Sequence, residues 1–144
     1  MKIFVGMNDE NIRRAASITM KHYADTEFLN RLAKVNKFNH TDYSPLDVSK
    51  ILPVSMQDIT LEVIPYKSIN PFSAAIGYAE GNKIFINTRK PNLPVMDRVQ
   101  TLYHESCHVV CFTHKGNRPN MYNLGTVPYL AANIFMNYVR EIYG

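Results

Sequence analysis

Within a helix-length run over residues 93–112 the chain carries His104-Glu105-Ser106-Cys107-His108, an H-E-x-x-H pattern. A helix turns about 100° per residue, so histidines four apart stand on one face, one turn above the other. Two imidazoles placed in this way converge on a single zinc ion. Glu105, beside the first, reaches a metal-activated water as general base. The same run sets Val95, Val99, Leu102 and Val110 on one side and Asp97, Thr101, His104 and His108 nearly opposite. An apolar stripe of this kind is buried. The pattern therefore demands a helix half embedded in a core and half lining a cleft, and the rest of the chain must supply both.

Lys2 to Val5 reads as an opening strand. Asn8 or Asp9 caps a helix with Ile12, Ala15, Ala16, Met20 and Tyr23 along one side. A second helix is expected over residues 27–36. Ser44 caps a third, with Pro45 at its first position, and Pro53 is expected to cut it short. From Asp58 the period changes to two: Ile59, Leu61 and Val63 alternate with Thr60 and Glu62 in a strand ending near Pro65. Residues 73–79 and 83–88 read as two more strands, joined as a hairpin through Glu80-Gly81-Asn82. A last helix over residues 127–142 should bury Ala131, Ile134, Phe135, Tyr138 and Ile142. The expected fold class is α+β. One domain over residues 1–144 would hold a twisted sheet of three or four strands, the active-site helix and a C-terminal helix.

Composition supports a real core, since 46% of the 144 residues are hydrophobic. No apolar run is long enough to span a membrane, and Ile3-Phe4-Val5 is too short for a signal peptide. Cys107 and Cys111 share one helix and staple no loop, so a reducing cytoplasm is the expected compartment, with leaderless export left open. The net charge of +4 is scattered, and Arg13-Arg14 and Arg89-Lys90 are only pairs. Such a distribution lacks the footprint of a nucleic-acid surface. The expected partner is a peptide or protein substrate, the expected state a monomer. His22 and His40 stand alone, on surfaces or at helix ends.

A catalytic zinc takes three protein ligands and one open position, so a third donor is needed. Downstream of His108 the choices are Cys111, His114, Glu141 or a tyrosine. Cys111 lies on the histidine face, but seven residues of straight helix span about 10.5 Å from His104. It reads better as a small buried side chain. His114 reaches the metal only if the helix stops near Cys111 and the chain turns back, an ending that Gly116 and Pro119 favour. Glu141 shares a stripe with Leu130, Ile134 and Asn137 on the last helix. Tyr122 is a candidate for an oxyanion donor or an extra ligand.

These residues also carry a resemblance. His104-Glu105-x-x-His108-x-x-Cys111-x-x-His114 is similar to the metzincin metallopeptidase signature, H-E-x-x-H-x-x-G-x-x-H. Met121-Tyr122 follows where matrixin-like members carry their Met-turn, and residues 75–87 resemble the last two strands before the active-site helix of that clan. The resemblance spans residues 73–122. It implies a zincin-like domain with His104, His108 and His114 as zinc ligands, Glu105 as general base and acid, and Met121 beneath the metal. It also makes strand 73–79 the edge that pairs with an extended peptide. The chain departs from the signature at Cys111, which replaces the glycine at the helix break, where a left-handed residue costs roughly 1 kcal/mol or more. Glu141 as third ligand would instead resemble the gluzincin plan.

The function these readings lead to is a zinc-dependent endopeptidase with one Zn2+ per chain. If such an enzyme is latent, the helical segment before Asp58 is the candidate blocker. Two other readings stay open: a zinc-binding module without peptidase activity, and a basic nucleic-acid-binding protein whose histidine pattern is accidental.

Overall fold

The opening apolar run does enter a sheet. Strand β1 (Lys2–Val5) lies parallel to β2 (Thr60–Tyr66), and β3 (Gly77–Glu80) closes the far edge antiparallel to β4 (Lys83–Asn87). Strands β2 and β4 are parallel, so the order is β1-β2-β4-β3. The computed structural model describes every residue except Ala74. Ala74 falls within the strand expected over residues 73–79, of which residues 77–79 are strand and Ala74 itself lies outside the described residues. Glu80 pairs with Lys83, leaving Gly81-Asn82 as the hairpin loop, and Gly81 takes φ 59°. That left-handed turn suits glycine.

Period-two burial holds on β2: Leu61 and Val63 are fully buried, while Thr60 and Glu62 are exposed. The strand runs through Pro65 to Tyr66, past the expected end. Its register with β1 stops at Val5–Val63, so among the described residues no strand pairs with 64–66 on that side and the absent N–H of Pro65 breaks no ladder there.

Helix α1 (Glu10–His22) starts where Asp9 accepts the Ile12 N–H at 3.0 Å. Helix α2 (Thr26–Ala33) is shorter than expected. Helix α3 (Pro45–Gln57) is capped by Ser44, which accepts the Asp47 N–H at 3.1 Å, but Pro53 does not end it. An internal proline costs about 3 kcal/mol; here Leu52 and Met56, four apart and both fully buried, hold the final turn in the core.

Helix α4 (Val95–Val109) carries the histidine pattern; of its apolar face Val99 and Leu102 are inaccessible, while Val95 and Val110 are half-buried at its two ends. It packs on α1 and on α6 (Ala132–Tyr143), and β3 passes along its polar side. A short helix α5 (Met121–Leu124) and a π-helical segment over Val127–Ala131 precede α6. Tyr103 of α4 stacks on Phe135 of α6 with centroids 4.6 Å apart, and Phe28 of α2 meets Phe135 edge-on at 4.9 Å. Ala131, Phe135 and Tyr138 are buried as expected; Ile142 is 47% exposed because the last turn of α6 overruns the core.

The front of the chain is structure, not a removable blocker. Ile3, Ile12, Phe28, Val48 and Leu52 belong to the same core as α4, and no residue before Ser73 lines the cleft among the described residues. His22 closes α1, one of the two places expected of it, and is buried there. Its ring bonds the Asp25 carboxylate at 2.6 Å and the Tyr143 hydroxyl at 2.7 Å, and Tyr138 donates to the same carboxylate oxygen at 2.6 Å, tying α6 to α1. Among the described residues no helix is long and apolar enough to cross a membrane.

Candidate metal centre

Helix α4 stops one residue after the histidine pattern, at Val109. Cys111 sits in the left-handed region at φ 75°. Around it, the Cys111 N–H donates to the His108 carbonyl and the Phe112 N–H to the Cys107 carbonyl, each at 3.0 Å. This is the Schellman arrangement, with the buried Phe112 as its apolar plug. Cysteine thus occupies the conformation expected of glycine. Its side chain is exposed, not buried as read from the sequence, because a left-handed residue at the helix end turns its Cβ away from the core.

The reversal brings His114 back over the helix face. His108 Nε2 lies 3.2 Å from His104 Nε2 and 3.1 Å from His114 Nε2, and one ligand atom from each of the three residues falls within 4.8 Å of the others. A carbonyl orients each ring from behind. His108 Nδ1–H donates to the Phe112 carbonyl at 2.9 Å, His114 Nδ1–H to the Gly116 carbonyl at 2.6 Å, and His104 to the Pro128 carbonyl. Those bonds place the protons away from the centre, so the Nε2 lone pairs of His108 and His114 point at the same small volume. Facing lone pairs repel unless a cation lies between them. The group is able to hold a metal ion.

Electrostatics favour the neutral, ligating form. Burial, reinforced by His108 and His114, pulls His104 down to about 3. Burial and then His114 lower His108 as well. Glu105 is pushed the other way, up to about 7, by burial, against the stabilising Ala79 N–H of β3 that its carboxylate accepts. A carboxyl so poised exchanges a proton near neutral pH.

The remaining candidates separate cleanly. Glu141 is on the surface, 2.5 Å from the guanidinium of Arg31, and contributes nothing to the centre. Met121 does not lie beneath it: it opens α5, capped by Asn120, and is 91% exposed. Tyr122 meets His40 on the outside, its hydroxyl 3.4 Å from Nδ1. The cause is the clamp made by fully buried Asn123, which binds the Lys115 N–H and the Lys115 and Arg118 carbonyls and so presents Met121 and Tyr122 to solvent.

Tyr129 takes the place beside the imidazoles, a residue the sequence reading did not single out. Its ring lies 4.5 Å from that of His104 and 4.8 Å from that of His114. Burial and then the Glu105 charge raise its phenol, so it keeps its proton. The π-helical segment that carries it has no spacing rule from which it was predictable. Its only signal was the neighbouring Pro128, which opens a new helical segment.

His104, Glu105, His108, His114 and Tyr129 line one cleft of about 1170 Å³, bounded above by β3. The chain matches no family model, no curated protein and no solved structure.

Proposed function

We propose that the chain is a zinc-dependent endopeptidase. The observation that carries this reading is the meeting of His104, His108 and His114 next to a carboxyl, Glu105, held against an open sheet edge. The donor set fits zinc: tetrahedral bonds of about 2.0–2.1 Å separate their ligand atoms by about 3.3 Å, against 3.1 and 3.2 Å here. All-imidazole donors favour zinc over magnesium or calcium. When bound, zinc supplies Lewis-acid polarisation of the scissile carbonyl and acidifies water.

The chain's own groups do the rest. The Ile76 carbonyl is used inward by the Asn87 N–H at 2.8 Å, so by strand alternation Gly77 and Ala79 turn their backbone groups to the cleft. An extended peptide adds to this edge as a further strand. Glu105 takes a proton from the attacking water and returns it to the leaving nitrogen. Tyr129, still protonated, donates to the developing oxyanion.

The test is metal content followed by turnover. Protein purified without added metal should carry close to one zinc per chain and should cleave members of a broad peptide library. Glu105→Gln should keep the zinc and lose about 10²- to 10⁴-fold in rate. Full activity in that variant sinks the mechanism. Zinc bound with no hydrolysis by the parent protein leaves a non-proteolytic metal module.

A further inference from the structure

The polar face of α4 does not end at the histidines. Two turns before His104, Asp97 lines the same cleft, with Gln100 and Thr101 between. Among the described residues the only carboxylates lining the cleft are Asp97 and Glu105, and neither lysine nor arginine lines it. Away from the histidines, the stretch of lining around Asp97 therefore carries a negative charge with no basic side chain beside it. The Asp97 carboxylate takes part in no ion pair or hydrogen bond among the described residues. The Thr101 hydroxyl, one turn on, donates instead to the Asp97 backbone carbonyl at 3.0 Å. Arg98, its neighbour in sequence, is turned into the core and donates to the Lys90 carbonyl. Asp97 also complements the helix dipole in the first turn of α4, but that role leaves its oxygens unpaired.

Strand β3 tracks the helix. Its Gly77 lies against Thr101, and its Ala79 against Glu105. A peptide pairing antiparallel to β3, the stronger arrangement, runs from Ala79 towards Gly77. Its residues C-terminal to the scissile bond therefore head for Asp97. Seven residues of helix cover about 10 Å, which an extended chain at about 3.3 Å per residue crosses in about three.

Resting on the peptidase reading, we infer that Asp97 is a specificity-determining residue that selects substrates with a lysine or arginine about three residues beyond the scissile bond. An unpaired carboxylate in a partly enclosed cleft gains from a cation and repels an acid.

The experiment uses zinc-loaded full-length protein and a peptide library, then matched peptides differing only by Lys or Glu at the mapped position. The parent protein should prefer the lysine peptide by about tenfold or more in kcat/KM. Asp97→Asn should shrink that ratio towards one, and Asp97→Lys should invert it, both with zinc retained. Binding to Glu105→Gln, followed by fluorescence polarisation without turnover, should show the same order and weaken with salt. Equal use of the two peptides by the parent protein overturns the inference alone, as does a basic preference that Asp97→Asn leaves unchanged. No cleavage of any peptide overturns the peptidase reading and this inference with it.

Discussion

The Phe112 carbonyl accepts the Nδ1–H of His108 at 2.9 Å, so the residue that plugs the end of α4 also aims an imidazole. The Phe112 N–H meanwhile closes the helix on Cys107. Helix termination and ligand geometry are thus one structural event, and the hinge of that event is the left-handed Cys111 between them.

Substitutions at Cys111 should therefore act through the backbone. Cys111→Gly removes a left-handed penalty of about 1–2 kcal/mol and adds unfolded-state entropy of about 0.5–1 kcal/mol. It should leave stability equal or up to about 1.5 kcal/mol higher, with metal affinity intact. Cys111→Val puts a β-branched residue at the same φ and should cost about 1–2 kcal/mol while weakening metal binding, because His114 loses its position. Urea unfolding and zinc titration of both variants provide the check, and a neutral valine would show that the turn does not set the site.

Acid should reveal the half-buried imidazoles in metal-free protein. The unfolded chain protonates His104 near 6.5, whereas the folded one resists until about 3. Between those values the unfolded state binds more protons, so this contribution to stability falls as pH drops through 6.5 and is lost by about 3. Glu105 runs oppositely: folded, it titrates at about 7 rather than 4.5, so its destabilising effect is relieved as pH drops from 7 to 4.5. The His104 effect is cleanest in metal-free Glu105→Gln. There, chemical denaturation should lose on the order of 2–4 kcal/mol more between pH 7 and 4 than in His104→Gln/Glu105→Gln. Parallel pH profiles for the two proteins would refute it.

The tie between α6 and α1 should respond to acid too. Burial tends to raise the Asp25 carboxyl, but hydrogen bonds from Tyr138 and His22 outweigh it and leave the group below its ordinary 3.8. A lowered carboxyl stabilises above its unfolded pKa and loses that contribution as pH falls through the folded one. Tyr138→Phe keeps the ring on Phe28 and beneath Arg31 but removes the donor. It should cost about 1 kcal/mol at pH 7, modest because the carboxylate is partly solvated. That cost should fade below about pH 3.8; thermal unfolding at pH 7 and pH 3 measures the difference.

Much of this was readable in the residues. Helical spacing fixed the face that His104 and His108 share, and alternation from Thr60 to Val63 fixed the buried side of β2. The third imidazole was open in the sequence because its position depends on one backbone angle at Cys111, a residue type that rarely adopts it. Met121 was misread for a different reason. A Met-turn spacing transfers only if the intervening chain takes the same path, and Asn123 gives this chain another. Tyr129 was out of reach, since its placement follows from a π-helical segment. Pro53 and Pro65 were read as stops by local rules that tertiary packing and sheet edge position override.

On the proposed peptidase reading, the seat of β3 on α4 should separate metal binding from peptide binding. A Cβ at Gly77 would fall 2.7 Å from the Phe85 carbonyl oxygen and 3.6 Å from the Thr101 methyl, with Ile86 Cδ1 at 3.3 Å. The first contact is with backbone, so side-chain rotation does not relieve it and the strand must shift. In Gly77→Ala, β3 should lift from the helix, moving the Ala79 N–H from Glu105 and misaligning the open edge. Zinc affinity should stay within about twofold, because the imidazoles are fixed by Phe112, Gly116 and Pro128. Peptide cleavage should drop by about tenfold or more, as a displacement near 1 Å is enough to spoil alignment. Equal losses of zinc and cleavage in this variant would mean that the strand supports the metal centre itself rather than the substrate.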